Sequence, residues 1–184
     1  RKLLNSIPLL PEKHRGILDY AIAIAGISFW RYALGQLPEI VIRNGGSRAF
    51  RIDHHGNPVG KPKNPGEILY KGPISFAACS TVPYYGFDIP VFPQVASVSP
   101  NYFQLRLTSI NALKLLSKLP DIITGKLSDE SLWDFKCKEV IMETSGDSFQ
   151  IGGDPAGKHK KMRINSTKIK AVMGSVAAAP EPPT

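Results

Sequence analysis

The sequence has few cysteines and no hydrophobic run long enough for a membrane span. Its 184 residues include two cysteines, Cys79 and Cys137, too few for the disulfide framework of a small secreted domain. We therefore expect both to be buried free thiols. The uncharged stretch from Tyr20 to Trp30 has 11 residues. A membrane-spanning helix needs roughly 20 apolar residues, so this segment is better explained as a buried helix.

Several functional motifs are also missing. The sequence contains no nucleophile elbow, Walker A loop, zinc-ligand spacing or dinucleotide fingerprint. The sequence shows no basic segment followed by an apolar core and a cleavage site, which is the pattern of a signal peptide. The first residue is Arg1 rather than methionine, so we expect the chain to begin inside a longer protein or after processing.

Acidic residues are scarce relative to basic ones. The 15 Asp and Glu face 23 Lys and Arg, which gives a net charge of +8. A basic balance favours nucleic acid, anionic lipid headgroups or phosphorylated substrates, and charge alone does not choose among them. The densest basic run is Lys158 to Arg163. A solvent-exposed edge strand whose lysines prevent pairing with other chains would have the same sequence pattern. Nucleic acid is disfavoured because no aromatic residues interleave with the run.

The patterning predicts a mainly β (α+β) fold: an antiparallel β-sandwich with one long N-terminal helix and a short helical insert. The long helix is predicted over 16–36, and the insert begins with a helix over 110–119. Asn44-Gly45-Gly46 predicts a hairpin between the strands on either side of it. A polar loop is expected over 54–65 and a helical turn over 128–133. The segments with strand-like patterns are 39–43, 48–53, 67–80 (one bent strand or a pair), 102–108, 135–144, 148–151, 160–164 and 169–173.

These elements make one domain over residues 1–176. Residues 177–184 (AAAPEPPT) have the composition of a disordered tail. Sandwich domains can pair through edge strands, so a homodimer is possible.

Asp154 is the candidate catalytic residue. It lies in the segment QIGGDPAG, where Gly152, Gly153 and Gly157 allow a sharp turn and close approach of a partner to the backbone. A carboxylate held at such a turn can accept a proton from a hydroxyl or help to hold a divalent metal, although the identity of any metal is unknown. The alternative is a plain hairpin in which Asp154 bonds its own turn. His54 and His55 lack a third ligand at metal spacing and are expected in a solvated loop.

Two further groups are candidates for binding. An apolar, aromatic loop follows residue 80 and could wall an apolar cleft, or could pack as core beneath a loop. Its candidate lipid-binding residues are Tyr84, Tyr85, Phe87 and Phe92. The candidates for contact with an anionic surface are Lys158, Lys160, Lys161 and Arg163.

The order of these segments resembles the C-terminal domain of the diacylglycerol/sphingosine/ceramide lipid kinase superfamily, including its bacterial members. The likeness runs from about Gly16 to Met173. Residues 17–34 look like the long helix that leads into the family's sandwich. Residues 72–96 (GPISFAACSTVPYYGFDIPVFPQVA) are similar to the stretch in which a strand meets a glycine-rich loop. Residues 103–125 resemble the following strand and short helices, and residues 139–157 resemble the strand pair that carries the family's Asp-Gly-Glu turn.

The resemblance implies the lipid-binding half of an ATP-dependent lipid kinase. The family's N-terminal domain holds ATP and Mg²⁺ through a Gly-Gly-Asp-Gly-Thr motif, and its C-terminal sandwich receives the lipid. That motif is not in this sequence, so ATP and Mg²⁺ are expected mainly through a nucleotide-binding domain outside it. The implied partners are a lipid substrate, an anionic membrane surface and that domain, with no nucleic acid. The implied location is cytoplasmic and peripheral to the membrane.

Two departures from the family pattern bear on activity. Gly152 falls where the family has the first acidic residue of Asp-Gly-Glu, its presumed general base, while Asp154 keeps a carboxylate at the third position. The family's acidic-glycine pair is replaced around residues 99–102 (SPNY). Either Asp154 takes over through a shifted turn, or the scaffold is a catalytically inactive lipid-binding or regulatory module.

Overall fold

The computed structural model describes residues 37–85, 89–95, 101–151 and 154–166. The long helix predicted over 16–36, the strand predicted over 169–173 and the tail over 177–184 lie outside the described residues. Within them, no helix is long and apolar enough to cross a membrane.

Two antiparallel sheets make up the described part of the chain, which confirms the mainly β prediction. Sheet A has the strand order β4-β1-β8-β9, and sheet B has the order β3-β2-β7-β6-β5. The strands are β1 (Glu39–Asn44), β2 (Ala49–Ile52), β3 (Pro58–Lys63), β4 (Ile68–Pro73), β5 (Phe76–Ser80), β6 (Phe103–Thr108), β7 (Leu132–Cys137), β8 (Glu139–Ile151) and β9 (Asp154–Asn165).

The core lies between the two sheets. Alternation along β1 and β6 puts apolar side chains on one face of each strand, since successive side chains point to opposite sides. Residues from both sheets join in one buried cluster, so the sheets pack face to face. Its members are Ile40, Ile42, Ala49, Leu69, Ile74, Phe103, Leu105, Leu107, Phe135, Cys137, Val140 and Met142.

The hairpin predicted at Asn44-Gly45-Gly46 is wrong. β1 belongs to sheet A and β2 to sheet B, so the chain changes sheets at this turn instead of folding back on itself. The fully buried Asn44 holds the corner: its Nδ2 donates to the carbonyl oxygens of Ser47 at 2.8 Å and Lys63 at 2.9 Å. A local turn signal cannot tell a hairpin from a corner, because the choice depends on which distant strands pair.

Three other sequence expectations need correction. The loop expected over 54–65 contains strand β3, an edge strand whose exposed position tolerates its two prolines. Residues 67–80 form neither one bent strand nor a pair, because β4 and β5 lie in different sheets. The expected helical turn over 128–133 gives way to strand β7, which begins at Leu132.

The predicted helical insert is present as two short helices, α1 (Ala112–Ser117) and α2 (Leu119–Ile123). The side chain of Asn111 caps α1 by accepting a hydrogen bond from the backbone N–H of Lys114 at 2.8 Å. After α2 the chain turns at Gly125, whose φ is +70°. A Cβ there would lie 2.9 Å from Cγ of Pro90, so the insert packs closely on the segment 89–95.

Candidate functional site

The candidate carboxylate lies where β8 ends and β9 begins, at the connected end of the β8–β9 hairpin. Ile151 pairs with Asp154 and Gln150 with Pro155, and Asp154 is exposed to solvent. Gly157 lies within β9 rather than at the turn, and its φ of +85° is a value that favours glycine. Gly152 and Gly153 lie outside the described residues.

The aromatic segment after β5 reaches this hairpin. The Tyr85 hydroxyl donates to Oε1 of Gln150 at 3.3 Å, across 65 residues of sequence. The backbone N–H of Tyr85 donates to the carbonyl of Ile89, and that of Phe92 to the carbonyl of Pro83, so the segment folds back on itself. Tyr84, next to this contact, is 56% exposed.

The four aromatic candidates therefore lie in different environments. Tyr84 is exposed and Tyr85 is half-buried, and both are near the hairpin end. Phe92 is 1% exposed and fills the interior, which agrees with the alternative of packing beneath a loop at this position. Phe87 lies outside the described residues.

The four basic candidates divide into two pairs. Lys161 Nζ lies 2.9 Å from Oε1 of Glu143, and Arg163 Nε lies 2.6 Å from Oε1 of Glu139. The hydrogen bond from Lys161 lowers the pKa of Glu143 below its ordinary value. Lys158 and Lys160, the other two, are exposed and have no ion pair to any described residue.

Ile151 was missed by sequence reasoning as a site residue. It is 71% exposed, an unusual state for an isoleucine at the end of a strand. The available signal was its position immediately before Gly152-Gly153, since a strand residue at a turn has fewer neighbours to cover it. Tyr84 and Val82, in the segment that the Tyr85–Gln150 hydrogen bond joins to the hairpin, are each 56% exposed.

A second polar site lies on the face of sheet B that points away from the core. Arg106 donates from Nε and Nη2 to the two carboxylate oxygens of Asp134, at 2.8 and 2.9 Å. Gln104 donates to Asp134 at 2.7 Å and to Gln94 at 2.8 Å, and Gln94 donates to the carbonyl of His54. A cavity of about 300 Å³ borders Arg106 and Asp134. The charges of Arg106 and Asp134 neutralise each other, and Gln94 connects this pair to segment 89–95. The network therefore holds the segment on sheet B, and we call it the polar clamp.

Two lysines lie beside Tyr102, at the described end of the segment where the resemblance would put an acidic-glycine pair. Lys136 Nζ and Lys138 Nζ lie 5.1 and 5.0 Å from the ring centroid of Tyr102, within the distance of a cation–π interaction.

His54 and His55 are both exposed, in a turn where Asp53 accepts hydrogen bonds from the backbone of His55 and Asn57. In the described ranges no three His, Cys, Asp or Glu side chains come close enough to hold a metal ion.

Both cysteines are free, as predicted, but only Cys137 is fully buried, whereas Cys79 is half-buried. Burial raises the pKa of Cys79 and of Cys137, which makes both unreactive as nucleophiles.

Comparison of the chain with known protein families finds no match, and no curated protein matches it.

Proposed function

We propose that this chain is the lipid-binding half of an ATP-dependent lipid kinase. Its substrate would be a lipid hydroxyl, such as that of diacylglycerol or a sphingoid base. The proposal draws on the resemblance in segment order and on the chemistry at the end of the β8–β9 hairpin.

One observation carries the proposal. The Tyr85–Gln150 hydrogen bond holds an aromatic segment against the hairpin that bears Asp154. The exposed carboxylate of Asp154 therefore has the exposed Ile151 as its strand partner, and the exposed Tyr84 lies in the segment that is hydrogen-bonded to the same hairpin. A lipid that offers a hydroxyl next to acyl chains needs this combination of one polar acceptor and apolar neighbours.

In this proposal Asp154 acts on the lipid hydroxyl. Its carboxylate accepts the hydroxyl proton and orients the oxygen for attack, as general bases do in phosphoryl transfer. A nucleotide-binding domain with ATP and Mg²⁺ would supply the phosphoryl group and neutralise its charge. The apolar side chains exclude water and position the acyl chains.

The test compares Asp154→Asn with wild type in the protein as it occurs in its source, with any domain beyond these 184 residues. The measurement is transfer of the γ-phosphoryl group of ATP to diacylglycerol or sphingosine in mixed micelles. We expect Asp154→Asn to lower the rate by roughly a hundredfold or more, since asparagine cannot accept the proton. Asp121→Asn is the matched control: Asp121 is exposed on α2 and in no ion pair with a described residue. Equal rates in the wild type and Asp154→Asn would remove Asp154 from the mechanism.

A second candidate function is a non-catalytic lipid-binding or regulatory module on the same scaffold. The observations that favour it are Gly152, at the position of the family's first acidic residue, and the lysines around Tyr102. This candidate predicts lipid binding by the wild type without phosphoryl transfer to any lipid tested.

A further inference from the structure

Exposed apolar side chains lie on the β8–β9 hairpin and on the segment that is hydrogen-bonded to it. Tyr84 and Ile151 each adjoin, in sequence, one member of the hydrogen-bonded pair Tyr85–Gln150. They are 56% and 71% exposed, and Val82, three residues from Tyr85, is 56% exposed. Large apolar side chains grouped in this way on a surface mark a contact site for a protein or a membrane.

Cations lie directly behind these apolar side chains. Lys158 pairs with Ser148, two residues from Gln150, which is about 7 Å along a strand. Lys160 follows two residues later, and both lysines are exposed without an ion pair to a described residue. Lys161 and Arg163, farther along β9, already neutralise Glu143 and Glu139.

We propose that the end of the β8–β9 hairpin docks on the surface of an anionic lipid bilayer. Tyr84 and Ile151 enter the boundary between headgroups and acyl chains, and Lys158 and Lys160 meet the anionic headgroups. Lys161 and Arg163 are not the principal contacts, because each forms a surface ion pair with a neighbouring glutamate and the two pairs carry no net charge. The choice of a lipid partner rests on the proposed function, but the docking itself needs no phosphoryl transfer.

The arrangement fits a bilayer better than other partners. Exposed apolar side chains are followed within a few residues by lysines. This order matches a membrane interface, in which the charged headgroups lie outside the acyl region. Nucleic acid would use the lysines and leave Ile151 and Tyr84 without a role. Asp154 opposes the attraction, since its carboxylate lies at the same end.

The test is cosedimentation of the whole chain with vesicles of phosphatidylcholine alone and of phosphatidylcholine mixed with phosphatidylglycerol. We expect binding to the mixed vesicles that salt weakens. Lys158→Ala and Lys160→Ala should each weaken it roughly fivefold, the effect of one lysine near an anionic surface. Ile151→Ser should weaken it about tenfold through lost apolar insertion. The double variant Lys161→Ala with Glu143→Ala is the matched control and should change it by less than about twofold, because it removes an ion pair without changing the net charge.

Asp154→Asn separates this inference from the proposed function. It removes the opposing charge, so it should strengthen vesicle binding even where it abolishes phosphoryl transfer. Equal binding to neutral and anionic vesicles, no binding to either, or an equal loss in Lys160→Ala and in the double variant Lys161→Ala with Glu143→Ala would overturn the docking proposal. The same holds if the chain sediments as a dimer that Ile151→Ser dissociates, because the apolar end would then be an interface between copies.

Discussion

Arg106 and Asp134 form a bidentate ion pair on neighbouring strands, with both carboxylate oxygens accepting a hydrogen bond from the guanidinium group. Their side chains are 5% and 7% exposed, so the pair is almost completely removed from water. Gln104 adds a third hydrogen bond to Asp134 and connects the pair to Gln94. The stability of the fold therefore depends strongly on both members of the pair, because a buried charge without its counter-charge destabilises the folded state.

Arg106→Met should destabilise the protein by about 3–5 kcal/mol, since it leaves the Asp134 carboxylate buried without its counter-charge. The double variant Arg106→Met with Asp134→Leu should lose less free energy of unfolding than the sum of the losses in the two single variants. We expect the difference, which is the coupling energy, to be about 2 kcal/mol or more. Urea denaturation of the four proteins measures the free energies of unfolding. An additive double variant would contradict the account.

The exposed pair Lys161–Glu143 provides the control for this cycle. Its side chains are 66% and 37% exposed, so water screens the interaction. The same cycle with Lys161→Met and Glu143→Leu should give a coupling below about 1 kcal/mol. A coupling as large as that of the buried pair would show that burial is not the cause.

Gly125→Ala should destabilise the protein more than Gly60→Ala. Both glycines have a left-handed backbone, with φ of +70° and +73°, so both variants incur about 1–2 kcal/mol of backbone strain. A Cβ at Gly60 meets nothing within 4 Å, whereas one at Gly125 would lie 2.9 Å from the rigid ring of Pro90. The clash should add about 1–3 kcal/mol. Equal unfolding free energies for the two variants, measured in urea, would refute a close contact between α2 and segment 89–95.

Asp129 should contribute to stability at neutral pH and lose this contribution in acid. Its carboxylate accepts a hydrogen bond from Lys114 and another from the backbone N–H of Ser131, and these lower its pKa from 3.8 to about 2. A carboxyl whose folded pKa is below its unfolded pKa stabilises the fold above the unfolded value, and this is lost as pH falls through the folded one. The melting temperature of Asp129→Asn should therefore be below wild type at pH 7 and approach it between about pH 4 and pH 2. Asp121→Asn is the control, and a difference independent of pH would exclude the charge as the cause.

Strand alternation was enough to predict the strands that place their apolar side chains mainly on one face. β1 and β6 alternate clearly, and both appear at the expected positions. β3 was missed because an exposed edge strand buries little on either face and contains two prolines, so it has the composition of a loop. The division of 135–144 into β7 and β8 was missed although the alternation changes phase there: Lys138 and Glu139 are consecutive polar residues between the buried Cys137 and Val140, where the chain passes from one sheet to the other.

The candidate site was predicted only in part. Asp154 and the basic run were visible as local patterns, but the sequence does not show that Glu143 and Glu139 pair with Lys161 and Arg163. The register of β8 against β9 decides which lysines remain available, and register depends on hydrogen bonding between strands. The polar clamp was missed for the same reason: Arg106 is one polar residue in an alternating strand until Asp134 lies beside it.

By itself, the amino-acid sequence determined the mainly β class, the short helical insert, the two free thiols and the excess of positive charge. These properties depend on residue type and on spacing along the chain, so they follow from composition and from local conformational preference. Only the tertiary structure decided which strands share a sheet, that Asn44 turns a corner and that Tyr85 bonds Gln150. Each of these relationships joins residues far apart in sequence or selects among several possible partners, and only the simultaneous packing of both sheets makes that selection.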